Sequence, residues 1–292
     1  MPALEYRIVD VFTDRAFAGN PLAVVLEADD LPAAAMQALA REFNLSETVF
    51  PLPPEAVGAD YRVRIFTPEV ELPFAGHPSV GAAWVLASLG RLEPGRVVQE
   101  CAAGLLPITI DPGPGRVELA GTTPSVGGPL DPAPLLAAAG LGAEDLLAGV
   151  APRVAGCGID FAYLPLRPDS VGRAVPDAAA LRALDARADL AGLSLVAYDE
   201  ARAAAHCRVF AAGLGVTEDP ATGSAALGLG AYLAAAGLVP GDGETQYLVV
   251  QGLEIGRPSR LECAVVTAGG EAVQCRVGGT VVPVARGEIV RP

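Results

Sequence analysis

The chain has 292 residues, 51% of them hydrophobic and 18% charged, with a formal net charge of −14. That much apolar material builds a sizeable core and excludes global disorder; the length fits two domains or one large one, and the acidity argues against a nucleic-acid partner. All 20 basic residues are arginine and the only histidines are His77 and His206, which excludes a Schiff-base lysine, a lysine-anchored pyridoxal phosphate, a Walker-A lysine and a multi-histidine zinc site.

The elements follow in chain order. Tyr6–Phe12 and Asn20–Ala28 read as strands, with a turn at Gly19-Asn20. Leu31–Asn44 is an amphipathic helix, with Pro32 in its first turn and Met36, Leu39, Ala40 and Phe43 at helical spacing. SETVFPL returns to extended chain, and Asp60–Pro68 alternates like a half-buried strand. HPSVGAAWVLASLG is a helix closed by Gly90, on which the pattern turns Trp84 to the core, and LLPITIDPGPGRVELAG is a hairpin turning at Asp111–Gly115. The second half repeats the rhythm. IDFAYLPL and LSLVAYD are strands around the helical PDAAALRALDARA, and AAHCRVFAAGLGVTEDP is strand then loop. TGSAALGLGAYLAAAGL is a second apolar helix, and a run of strands follows, with a bend at Gly278-Gly279 before a last strand with a turn, TVVPVARGEIV.

Two helices stand out. Val80–Leu89 has only Ser88 as a clearly polar side chain, and Ala225–Ala236 has only the Tyr232 hydroxyl. A helix apolar all round must be surrounded by protein, and these are too short for a bilayer. A curved sheet wrapped round each helix satisfies both facts. The expectation is an α/β (α+β) protein of two pseudo-duplicated, barrel-like domains, each a mostly antiparallel sheet around a central apolar helix. The Pro- and Gly-rich run from Pro124 to Pro134 is the candidate boundary.

Each helix start offers unpaired N–H groups and a partial positive charge, suited to a small carboxylate. The polar residues near them are Glu71, His77 and Ser79 in the first half and Glu218, Asp219, Thr222 and Ser224 in the second. Glu47, beside Ser46 in LSETVF, sits where burial can raise a carboxyl group into the range useful for acid–base work. Plainer readings stand beside these. His77 can hold a loop or cap, Asp219 can cap the helix at Thr222–Gly223, His206 fits a structural strand residue, and Arg257 in GRPSR is a solvated turn residue or an anion ligand. Cys101, Cys157, Cys207, Cys263 and Cys275 are scattered, without a CxxC, and read as small hydrophobes in a reducing compartment. The chain shows neither a signal-peptide pattern nor a membrane-spanning run, so the expectation is a soluble cytoplasmic protein with no membrane partner.

Five motifs in order, VDVFTDRAFAGNPLAVVL, NLSETVF, FTPEVELPFAGHPSVGAAWVL, GLGVTEDPATGSAALGLGAYL and QGLEIGRPSRLE, resemble the phenazine-biosynthesis PhzF-like family along nearly the whole chain. The resemblance implies a diaminopimelate epimerase-like fold with the last strand returning to the first domain, so that residues 1–126 plus 280–292 form one domain and 127–279 the other. It implies an active site in the cleft, no metal or cofactor, and a homodimer. By resemblance Glu47 is the acid/base glutamate of a single proton shuttle on a small carboxylated substrate, supported by His77 and Asp219. Ser46, Gly76, Ser79, Thr222, Gly223 and Ser224 are its candidate substrate-binding residues. Epimerases of this fold place a cysteine before each central helix; here those positions hold Ala75 and Thr222, which argues against a two-thiol racemase. An epimerase or lyase acting on an amino-acid derivative, and a non-catalytic carboxylate-binding protein, remain the alternatives.

Overall fold

The computed structural model describes residues 3–113, 115–188 and 190–292. In chain order its main elements are β1 (Ala3–Val11), β2 (Asn20–Val25), α1 (Ala33–Phe43), β3 (Glu47–Leu52), β4 (Tyr61–Phe66), β5 (Glu71–Leu72), α2 (Gly76–Ser88), β6 (Gly95–Cys101), β7 (Gly104–Ile110) and β8 (Arg116–Ala120). They continue with β9 (Ser125–Pro129), α3 (Pro132–Ala138), β10 (Arg153–Gly156), β11 (Asp160–Pro165), α4 (Ala178–Ala188), β12 (Gly192–Asp199), β13 (Ala204–Ala211), β14 (Val216–Asp219), α5 (Gly223–Ala235), β15 (Gly243–Gln251), β16 (Ser259–Ala268) and β17 (Glu271–Val290). The chain divides into two compact units, residues 1–120 with 278–292, and residues 121–277.

The first unit is a closed ring of strands. β1 pairs with β2, β2 with β3 in parallel, β3 with β4, β4 with β6 in parallel, β6 with β7 and β7 with β8. β17 then pairs with both β8 and β1 and closes the circle. A parallel pair needs a crossover. The one between β2 and β3 is α1, whose Met36, Leu39 and Ala40 pack on Phe50 and Phe66. The one between β4 and β6 is α2, which passes through the barrel and packs on β1, β2, β3, β4, β7 and β8. This is why α2 has no polar face: residues 76–83, Val85 and Leu86 are all buried. Its Gly81 is a close-approach position, since a Cβ there would lie 2.4 Å from Leu22.

The second unit repeats the scheme. β10 pairs with β9 and β11, β11 with β12 in parallel across α4, β12 with β13, β13 with β15 in parallel across α5, and β15 with β16. α5 packs on β9, β10, β11 and β16, and residues 223–234 are buried along its whole circumference. Its leucines 227, 229 and 233 each contribute roughly 2 kcal/mol by leaving water.

The Pro/Gly-rich run expected as the boundary carries structure of its own, since Ser125–Pro129 pairs with β10 and Pro132 opens α3. Three local expectations give way. Gly278-Gly279 makes no bend: both lie inside β17 without positive φ, and a Cβ at Gly278 would press to 2.9 Å on the Val117 carbonyl, so glycine serves a close strand approach. TVVPVARGEIV is likewise unbroken strand, with Pro283 taken up at a register shift opposite Ile8/Val9, where a missing N–H does no harm. Trp84 is half-buried rather than a core residue, its indole lying against Gly115 at the hairpin between β7 and β8. The expected turn of that hairpin, Asp111–Gly115, includes Pro114, which lies outside the described residues.

Candidate active site

In the first unit the chemistry gathers where β2, β3 and α2 begin. β2 and β3 run parallel with Leu22 opposite Glu47, so Asn20 and Glu47 start neighbouring strands at the same end. α2 opens there at Gly76, after an extended Ala75, and Pro78 sits in the first turn, where its missing N–H costs nothing. The N–H groups of Gly76 and His77 have no intrahelical acceptor. His77 is thereby planted at the positive end of a buried helix, with its side chain only 3% exposed and its Nε2 3.5 Å from Glu47 Oε2.

On the far side of the ring, Asn20 Nδ2 lies 3.2 Å from His77 Nδ1, and Ser46 Oγ donates to Asn20 Oδ1 at 2.9 Å. The loop that delivers Asn20 is fixed by Gly19, at φ +65° where a Cβ would meet the Val11 carbonyl at 2.3 Å, and by buried Asp10, which accepts the Phe17 N–H at 2.7 Å. Ser79 faces inward instead. Its hydroxyl donates to the Ala75 carbonyl and accepts from Gln99, whose amide oxygen takes the Tyr61 hydroxyl. Ser79 has no exposed surface, so its side chain stiffens the helix start rather than reaching a ligand. Glu71 is held by a bidentate pair with Arg64.

Burial pushes the His77 pKa down from 6.5 to about 3. Its contact with Glu47 is therefore not an ion pair but a neutral imidazole beside a carboxyl group. The sign of the stability effect follows. Above pH 6.5 neither folded nor unfolded His77 carries the extra proton; as pH falls below 6.5 the unfolded chain takes it up while the folded ring resists until about 3. Wild type is expected to lose roughly 3 kcal/mol between pH 7 and pH 4 relative to His77→Gln. Urea midpoints of both proteins at the two pH values measure this; parallel losses would place the ring in water.

In the second unit the residues before α5 form their own network. Asp219 ends β14 opposite Val209 and is buried, and Thr222 precedes the helix with its hydroxyl donating 2.6 Å to Asp219 Oδ2 rather than capping the helix. Gln251, the last residue of β15, donates to the Asp219 carbonyl at 2.7 Å and to Thr222 Oγ1 at 3.0 Å, and accepts the Thr222 N–H. Intrahelical bonding starts at Ala226, which donates to Thr222, so Gly223, Ser224 and Ala225 keep N–H groups aimed along the helix start. Glu218 is withdrawn into a bidentate pair with Arg208. Removing Gln251 strips three bonds at once. Gln251→Leu is expected to cost roughly 2–3 kcal/mol, read as a lowered urea midpoint; an unchanged midpoint would mean that the network is not formed.

Asn20, Gln99 and Gln251 are not among the residues singled out from the sequence. A signal for the first was present: Phe17–Pro21 is FAGNP and Phe74–Pro78 is FAGHP, the same frame with Asn and His exchanged, and the two exchanged residues touch. His206 lies 3.0 Å from Glu254, outside both networks. All five cysteines are buried and free.

A strand barrel closed around a crossover helix, in a chain that repeats the plan, is the architecture of the diaminopimelate epimerase-like proteins. Within that class the chain belongs to the phenazine biosynthesis-like family, whose sequence profile matches residues 9–287. It is 38% identical to an uncharacterized isomerase of Mesorhizobium japonicum over 99% of both chains. It is 35% identical to the trans-2,3-dihydro-3-hydroxyanthranilate isomerase of Pseudomonas aeruginosa, covering 97% of this chain and 98% of that one. The crystal structure of a PhzF-family phenazine biosynthesis protein from Bacillus anthracis superposes with a TM-score of 0.88 at 30% identity, over 99% of this chain and all of the other.

Proposed function

We propose that this isomerase moves a proton on a small carboxylated substrate by general acid/base catalysis, with Glu47 as the single group that takes the proton from carbon and returns it. The observation that carries the reading is the Glu47–His77 pair, a carboxyl group 3.5 Å from a neutral imidazole at the N-terminus of a buried helix. The low dielectric around the pair strengthens each interaction with charge that develops during proton transfer. His77 supports Glu47 as an uncharged partner. The N–H of Gly76 is a donor for the substrate carboxylate or an enolate-like intermediate in the first unit, and those of Gly223 and Ser224, beside Asp219 and Thr222, offer an anion the same kind of helix start in the second.

The reaction needs no metal or cofactor in this reading, and the protein works in the cytoplasm as a homodimer. Among the described residues no helix is long and apolar enough to cross a membrane. The positions ahead of the two central helices, Ala75 and Thr222, carry no thiol, which favours one-face proton return over two-base racemisation. The test is deuterium incorporation from solvent into a panel of small carboxylates, dihydroaromatic acids included. Wild type is expected to exchange a carbon-bound proton in at least one of them, and no exchange in any would overturn the reading.

A further inference from the structure

Two hydrogen bonds and one polar contact around the imidazole decide where its hydrogen sits. Asn20 Nδ2 approaches His77 Nδ1 at 3.2 Å. In the structure the amide turns its oxygen to the Ser46 hydroxyl, which donates at 2.9 Å, and its NH₂ to the ring. An amide NH₂ can only donate, so Nδ1 accepts and carries no hydrogen. The single hydrogen of a neutral imidazole must then be on Nε2, which faces Glu47 Oε2 at 3.5 Å. With Glu47 ionised, the other arrangement would set a ring lone pair against the carboxylate oxygen, two acceptors face to face. At 3.5 Å the Glu47 contact is too long for a hydrogen bond, so the choice of tautomer rests chiefly on Asn20.

We propose that Asn20 is a positioning residue that locks His77 in the Nε2–H tautomer, with the Ser46 hydroxyl on the amide oxygen. Its consequence for chemistry rests on the proton-transfer reading of Glu47; the tautomer itself does not. With Nδ1 occupied as an acceptor and Nε2 already protonated, His77 has no free lone pair for a substrate proton. It turns an N–H, not a lone pair, toward Glu47 at 3.5 Å, which leaves Glu47 as the base. Ser46 then acts through Asn20, its hydroxyl hydrogen being committed to the amide oxygen.

The test is nitrogen NMR of the full chain labelled at histidine. Only His77 and His206 contribute, and His206→Gln assigns the signals. Wild type without substrate is expected to show an unprotonated Nδ1 and a protonated Nε2 at His77. Asn20→Asp keeps the shape but offers only acceptors when ionised, and is expected to move the hydrogen to Nδ1. Asn20→Leu offers neither and is expected to give a mixture of tautomers. In a substrate assay both variants should lose kcat by at least ~10-fold with KM little changed. A wild-type ring protonated at Nδ1 overturns the proposal, whether or not the variants fold. So does a folded Asn20 variant that keeps the wild-type pattern. Wild-type protein with the expected tautomer but no deuterium exchange would instead sink the proton-transfer reading alone.

Discussion

Glu47→Gln is expected to abolish proton exchange into substrate while leaving the fold intact. The side chain is 13% exposed and begins β3, whose pairing with β2 and β4 runs through the backbone, so an isosteric amide disturbs no strand. The amide can still face His77 Nε2–H through its oxygen, and the local shape survives. What it cannot do is accept a proton from carbon. General acid/base groups contribute about 10²–10⁴ in rate, and a sole shuttle removed outright belongs at or beyond the upper end. The variant should therefore lose at least ~10³-fold in deuterium exchange, with an unchanged urea midpoint near pH 7. Glu47→Asp shortens the reach by one methylene and should fall between the two, since a misplacement of about 1 Å can cost on the order of 10²-fold. Turnover retained in Glu47→Gln would move the base elsewhere in the chain.

A large loss of stability is expected on substitution of Gly228, in the middle of α5. A Cβ there would lie 2.4 Å from the Tyr163 hydroxyl, 3.1 Å from the Gly156 Cα and 3.2 Å from the Ala155 carbonyl. Two of those are backbone atoms of β10 and cannot swing aside. The third belongs to a fully buried tyrosine that donates to the Ala225 carbonyl at 2.6 Å and stacks on Tyr232 at 5.3 Å. Gly228→Val must push the helix off the sheet or expel the hydroxyl from its bond. Overpacking of this kind costs about 1–3 kcal/mol and the lost hydrogen bond about 1 more, against less than about 1 gained in helix propensity. A net loss of roughly 2–3 kcal/mol should appear as a lower urea midpoint. A variant as stable as wild type would show that α5 does not lie against β10 as closely as these distances require.

How much of this was legible in the sequence divides by the range of the interaction. The two apolar helices announced their own burial, because a helix without a polar face has one physical solution, and α2 and α5 both run through or along sheets that cover them. Short strands in turn-rich sequence were harder. β14 and β9 do not stand out as strands, since four or five residues beside Pro and Gly carry little periodicity, and their pairing with β13 and β10 is set by partners distant in the chain. Glu47 and His77 stand out as candidates by residue type, and the structure brings them to 3.5 Å of each other. Their neutral helpers do not stand out. Asn20 and Gln251 are uncharged amides at strand ends, and nothing in a single sequence says that one holds a ring and the other a helix start until tertiary structure brings them there.

The ring of the first unit has an unusual seam. Seven of its strands are encoded before residue 121, yet the piece that completes it comes from the far end of the chain, where Val281 pairs with Val11 and Val290 with Ala3. On a ribosome the first barrel is thus a stave short until the whole intervening unit has been made. During that interval α2, apolar on every side, has lost part of the wall that shelters it. The second unit, residues 121–277, is contiguous and can assemble as it emerges. Vectorial synthesis therefore inverts the order of completion: the half that begins the chain, and that holds Glu47 and His77, is the last to be sealed.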